Sequence, residues 1–93
     1  MKIKLVKTCG ACPEQYDAFD EKGNQVGYLR LRHGYFSVSF PDVGGETIYE
    51  AYPQGDGLFE YEERDRYLSL AVNAIKLRLE TPEEKDYYIV DES

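Results

Sequence analysis

The sequence predicts an α+β fold in which an antiparallel β-sheet of about five to six strands packs against one amphipathic helix. Three observations support this prediction: short alternating segments separated by turn residues, one helical repeat of apolar residues, and a composition that can form a core. Hydrophobic residues make up 42 % of the chain and aromatic residues 14 %, which is typical of a folded domain. With 93 residues, we expect a single domain spanning residues 1–93.

Short segments that alternate apolar and polar residues predict the strands. Clusters of glycine, proline, asparagine and aspartate separate these segments and predict turns. The predicted strands are residues 3–6, 15–20, 26–32, 35–40, 46–52 and 87–90, with a loop at residues 8–14.

The third and fourth predicted strands form a hairpin, because His33-Gly34 between them is a two-residue connection that favours a primed turn. If Arg32 pairs with Tyr35, one face of the hairpin is apolar and the other is polar or aromatic. A shift of one residue would mix the two faces. The separation therefore predicts the register of this hairpin.

A repeat of apolar residues at spacings of three and four predicts one helix near residues 60–79. Its apolar side comprises Leu68, Ala71, Val72, Ile75 and Leu79, with Tyr61 or Arg64 one turn earlier. Its polar side comprises Glu62, Glu63, Asp65, Arg66, Asn73, Lys76 and Arg78. Acidic residues in the first turns and basic residues in the last turns match the helix dipole. Thr81 before Pro82 predicts the end of the helix, followed by one short helical turn.

Nothing in the sequence predicts export or membrane insertion. The first residues alternate lysines with apolar side chains, unlike a signal peptide, and no stretch approaches the ~20 apolar residues of a membrane span. We therefore expect a cytoplasmic protein with no membrane partner and with its two cysteines reduced.

The formal charge of −7 is distributed unevenly along the chain. Residues 1–41 contain six basic and four acidic side chains, a net of +2, whereas residues 42–93 contain five basic and fourteen acidic side chains, a net of −9. Such asymmetry indicates a polar field with a preferred partner surface. It argues against direct nucleic-acid binding by the whole protein, because neutralising phosphates needs clustered lysine and arginine.

The acidic half supplies the first candidate site, at the start of the predicted helix. Its residues are Glu60, Glu62, Glu63 and Asp65. Closely spaced carboxylates can bind a basic groove on another protein, so this acidic face predicts a protein partner. The alternative is an ordinary solvated surface.

The polar side of the hairpin supplies the second candidate site, which we call the Tyr/Arg face. Its residues are Tyr28, Arg30, Arg32, His33 and Tyr35. Arginine forks beside aromatic rings suit an anionic ligand such as a nucleotide. The alternatives are a solvated face, or one covered by the chain's own acids.

Cys9-Gly-Ala-Cys12 is the one motif-like spacing in the sequence. A redox pair needs its first cysteine at a helix N-terminus. A structural zinc site needs two further ligands, which here would be His33 and either a carboxylate or a residue of a second chain. The third interpretation is an inert loop. We expect no cofactor and, since no catalytic motif is present, no enzymatic activity.

Four segments, at residues 9–16, 26–36, 41–46 and 49–57, carry a resemblance to known proteins. They read CGACPEQY, VGYLRLRHGYF, PDVGGE and YEAYPQGDG, within a resembling region of roughly residues 9–79. This pattern resembles small uncharacterised proteins encoded by phages and prophages of Gram-positive bacteria. The resemblance implies a small accessory protein of a mobile element, a context in which acidic proteins often inhibit host defence nucleases by binding them.

Two functional hypotheses follow from the sequence. The first is a non-enzymatic acidic binding protein, a phage accessory or anti-defence inhibitor that occupies a basic surface of a nucleic-acid-handling host protein. The alternative is a small module that binds an anionic ligand through the Tyr/Arg face. A homodimer, formed through the hairpin face or an edge strand, is compatible with either hypothesis.

Overall fold

The computed structural model describes residues 2–11 and 13–80, which form five antiparallel strands and one helix. The elements are β1 Lys4–Gly10, β2 Glu14–Phe19, β3 Gln25–Arg32, β4 Tyr35–Phe40, β5 Glu46–Ala51 and α1 Tyr61–Glu80. The α+β fold, with an antiparallel sheet packed against one helix, is confirmed. The predicted strand at 87–90 and the predicted turn after the helix lie outside the described residues.

The five strands follow one another across the sheet in chain order, β1-β2-β3-β4-β5. Every neighbouring pair is antiparallel, and the three inner strands each pair with the strand before and the strand after them in the sequence. In the described sheet, β1 and β5 are therefore the two edge strands.

The register of the central hairpin is confirmed. The pairs are Arg32 with Tyr35, Leu31 with Phe36, Arg30 with Ser37, Leu29 with Val38 and Tyr28 with Ser39. His33 has a φ angle of 53° and Gly34 one of 74°. Positive φ at both positions is what a primed two-residue turn requires.

The core lies between one face of the sheet and the helix. Its buried hydrophobic residues are Tyr16, Ala18, Val26, Leu29, Leu31, Phe36, Val38, Phe59, Ala71 and Ile75. Gly27 permits the close approach of the helix, because a Cβ atom there would lie 2.6 Å from Cδ1 of Ile75. Burial of these side chains provides the main driving force for folding.

The inner side of α1 differs from the prediction at its first two turns. Tyr61 is 87 % exposed, while Tyr67 packs inward with its ring stacked 5.8 Å from that of Phe59. Glu63, predicted on the polar side, is buried. The reason is the preceding loop, which covers the start of the helix and gives Glu63 polar partners that no helical repeat reveals.

The first strand is longer than predicted. The predicted loop began at Thr8, but β1 continues to Gly10 and includes Cys9. A β-bulge between Lys7 and Cys9 lets the strand continue, and the Thr8 hydroxyl donates to the Gln15 carbonyl at 3.3 Å. Sequence alternation alone misses this strand end because the bulge interrupts the period of two.

Candidate binding surfaces

The sheet has one face packed on the helix and one face, which we call the open face, turned away from it. Leu29 and Leu31 of β3 point into the core, so Tyr28 and Arg30, which alternate with them, lie on the open face. No helix in the described part of the chain covers the open face. The Tyr/Arg face lies on this surface.

Hydrogen bonds hold the aromatic side chains of the Tyr/Arg face in place. The Tyr28 hydroxyl donates to Oε1 of Gln15 at 2.8 Å, and the Tyr35 hydroxyl donates to Oε1 of Glu50 at 2.9 Å. The Tyr35 ring lies 5.5 Å from the ring of Tyr52, a residue that the sequence did not place at the site. The hydrogen bond to Glu50 is the main reason that the pKa of Tyr35 is raised.

The two arginines of the Tyr/Arg face have no acidic partner in the described residues. Arg30 is half-buried between Gln15 and Ser37 on the neighbouring strands, and Arg32 is exposed opposite Tyr35. Neither guanidinium forms a hydrogen bond or an ion pair within residues 2–11 and 13–80. Their planar donor forks are therefore free to bind an anion in two-point geometry.

His33 lies at the tip of the hairpin, beside the loop that leads into α1. The Gly34 amide donates to the Asp56 carbonyl at 2.7 Å, so the loop packs against the turn. Arg32, His33, Asp56 and Gly57 line a small hollow at this contact. The structure thus brings His33 to the border of the Tyr/Arg face.

Only three of the four predicted acidic-face residues are exposed. Glu60, Glu62 and Asp65 lie on the surface at the start of α1. Glu63 is buried, so its predicted place on an exposed acidic face was wrong. The exposed acidic face therefore consists of Glu60, Glu62 and Asp65.

The Glu63 carboxylate instead binds backbone amides of the loop before the helix. It accepts hydrogen bonds from the Gln54 amide at 2.8 Å, the Gly55 amide at 2.8 Å and the Glu60 amide at 2.9 Å. The contact with Glu60 closes the N-terminus of the helix in the manner of a capping box. Three amide partners make this residue structural.

A second buried carboxylate, Glu14, joins the sheet to the helix. Arg64 donates to it from Nε at 2.9 Å and from Nη2 at 3.2 Å, and the Phe59 amide donates at 3.0 Å. The Tyr16 hydroxyl is its fourth donor. Sequence reasoning missed this cluster, although Arg64 occupied an inward position of the helical repeat and Glu14 alternated with inward Tyr16.

These contacts shift the pKa values of the buried groups. Burial alone would raise the pKa of Glu14, but hydrogen bonds from Arg64, Tyr16 and the Phe59 amide lower it overall. For Glu63, burial is again outweighed by amide hydrogen bonds, and its pKa is lowered. Burial and the Glu14 carboxylate raise the pKa of Tyr16 to about 12.

The free energy of unfolding is therefore expected to decrease in acid. Glu14 and Glu63 have folded-state pKa values below the ordinary 4.5, so their stabilisation is full above that value and is lost as the pH falls through each lowered pKa. Urea unfolding midpoints measured between about pH 6 and about pH 3 test this. The double variant Glu14→Gln with Glu63→Gln is expected to show a shallower decrease, and an equal slope in both proteins would contradict the assignment.

The cysteine motif is only partly described. Cys9 lies in β1, where its side chain is half-buried and Sγ donates to the Ala11 carbonyl at 3.5 Å. Cys12 lies outside the described residues. Within the described ranges, no three histidine, cysteine, aspartate or glutamate side chains are grouped as metal ligands.

The structure defines this chain as an α+β protein with one antiparallel sheet and one helix. No family model, curated protein or solved structure matches it. Among the described residues, no helix combines the length and apolar character needed to cross a membrane.

Proposed function

We propose that this protein is a non-enzymatic binding protein whose Tyr/Arg face recognises an anionic ligand. The observation that carries the proposal is the pair Arg30 and Arg32, which lie on the open face without an acidic partner in the described residues. Hydrogen bonds fix the tyrosines beside them, which lowers the entropy cost of binding.

The buried ionisable groups support binding rather than catalysis. A general acid or base must exchange its proton with a substrate. Glu14 and Glu63 are each surrounded by internal donors, from Arg64, Tyr16 and backbone amides, and stabilise the packing of the helix and loop. Their altered pKa values therefore have a structural origin.

A nucleotide is the ligand class that suits both side-chain types on the Tyr/Arg face. Arginine forks bind phosphate oxygens in two-point geometry, and tyrosine rings offer planes or edges to a base. The open face, which no helix in the described part of the chain covers, also suits a phosphate-bearing ligand that remains partly solvated. The acid nearest to Tyr35, Glu50, is occupied by the tyrosine hydroxyl.

Thermal unfolding with a panel of nucleoside mono- and triphosphates tests this proposal. We expect the melting temperature to rise by about 6–11 °C for a bound nucleotide at about ten times its Kd. The variant Arg30→Ala with Arg32→Ala should lose this rise. The control Lys22→Ala with Arg66→Ala removes the same positive charge elsewhere and should keep it. No rise with any nucleotide in the wild type would count against the proposal.

The exposed acidic face is the second candidate surface. Glu60, Glu62 and Asp65 lie together on the exposed side where α1 begins, which supports binding to a basic surface of a nucleic-acid-handling host protein. This is the role that the resemblance to phage proteins implies. Reversing these three residues to lysine should abolish capture of such a partner at low salt, while the arginine variant above should retain it.

A further inference from the structure

We propose a second interaction surface: the outer edge of β1 binds an acidic, extended peptide segment of a partner protein as an added strand. This surface is separate from the Tyr/Arg face and does not depend on its ligand.

The outer edge of β1 offers backbone groups for pairing. β1 is the first strand of the sheet and pairs with β2 on one side only, within the described residues. Half of its backbone amides and carbonyls therefore point away from the sheet. Such an edge can accept an extended peptide through main-chain hydrogen bonds, with the neighbouring side chains providing specificity.

The positive charge of this edge favours a partner strand of negative charge. Lys2, Lys4 and Lys7 are exposed, and none of them forms an ion pair with a described residue. Edge lysines prevent pairing between two copies of the same strand, because like charges would meet. The same lysines favour pairing with an acidic strand. They therefore disfavour a second copy of β1 and favour an acidic peptide.

The other edge of the sheet has the opposite character. β5 carries two exposed glutamates. Glu46 pairs with Arg78 at 3.2 Å, whereas Glu50 has no cationic partner among the described residues and would repel an acidic peptide. Charge complementarity therefore directs an acidic strand to β1 rather than to β5.

The alternation of β1 defines the pattern of the peptide. Lys4 and Val6 lie on the open face, whereas Leu5 and Lys7 lie on the helix side, opposite Ala18 and Tyr16 of β2. Val6 is 38 % exposed, and the groove beside it is lined by apolar Ile3 and Phe19. Charged side chains of both signs also line this groove: Lys2 and Lys4 at the strand, and Asp20 and Glu21 in the β2–β3 turn. A strand that matches residues 4–7 has the pattern acidic–apolar–apolar–acidic, which is the same in parallel and antiparallel orientation.

A capped, fluorescently labelled peptide of about eight residues, centred on Glu-Val-Val-Glu, is the probe for this surface. We expect the full chain to bind it at least about tenfold more tightly than the matching Lys-Val-Val-Lys peptide, measured by fluorescence anisotropy. Lys4→Glu with Lys7→Glu should reverse this preference. The control Arg66→Glu reverses an exposed charge on α1, away from this groove, and should leave the preference unchanged.

Two further measurements identify the mode of binding. Two versions of the peptide are N-methylated, each at one of the two sets of alternate amides, which leaves the charge unchanged. Binding should be lost for the version whose methylated amides face β1 and retained for the other. Arg30→Ala with Arg32→Ala should leave the affinity for the peptide unchanged, which separates this proposal from the proposed function. Equal binding of the two peptides, insensitivity to N-methylation, or dimerisation through β1 would overturn the proposal.

Discussion

Replacing Arg64 with alanine is expected to lower the free energy of unfolding by about 3 kcal/mol, because the buried Glu14 carboxylate would lose its cationic partner. Removing one partner of a buried ion pair costs about 3–5 kcal/mol of unfolding free energy. We expect the lower value here, because the Arg64 side chain is 27 % exposed. Domains are stable by only about 5–15 kcal/mol, so this loss is large. Urea unfolding followed by circular dichroism measures it.

Two companion variants make the Arg64 experiment specific. Arg32→Ala removes an exposed arginine that has no ion pair with a described residue, and it should change stability by less than about 0.5 kcal/mol. Adding Glu14→Gln to Arg64→Ala removes the uncompensated charge and should recover part of the loss. If Arg64→Ala unfolded at the same urea concentration as Arg32→Ala, the Glu14–Arg64 pair would not stabilise the fold.

Replacing Phe36 with alanine is expected to cost about 3–5 kcal/mol of unfolding free energy. The Phe36 side chain is fully buried, and its ring centroid lies 5.0 Å from that of Phe59 and within 6.3 Å of those of Tyr49 and Tyr67. Alanine would leave a cavity between sheet, loop and helix. Urea unfolding at constant pH provides the measurement.

The matched control for Phe36 is Val43→Ala, at an exposed position in the β4–β5 loop. It should leave stability nearly unchanged, because little apolar surface is buried there. The intermediate variant Phe36→Leu should lose less than Phe36→Ala, since much of the volume is retained. Equal effects of the alanine and leucine variants would argue against a packing origin.

Local features of the fold were predictable from the sequence. The hairpin around His33-Gly34 follows from a two-residue turn and a period of two, both of which involve neighbouring residues. The same register places Arg30 and Arg32 on the polar side, so this part of the candidate site was also predictable. Their function as a binding site stays a prediction.

Features that depend on distant residues were not predictable. The Glu14 carboxylate meets Arg64, 50 residues later in the chain, and no local pattern pairs the two. Tyr52 reaches the Tyr/Arg face only after the register of β4 and β5 shifts between Val38 and Ser39. In the sequence, Glu63 cannot be distinguished from an exposed helical glutamate, because its partners are backbone amides that only the folded loop brings to it.

The chain-order sheet and the distant Glu14–Arg64 pair together affect how folding proceeds. Each strand of the sheet can join the strand just before it, so every step closes only a short loop. The helix α1 packs mainly against β5, the strand just before it, and against β3, so its docking on the formed sheet closes only the connection at residues 52–60. The Glu14–Arg64 pair, by contrast, joins residues 50 apart in the chain. Since Arg64 reaches Glu14 only when the helix is correctly placed, we expect this polar pair to favour the native position of the helix over others with similar apolar contacts.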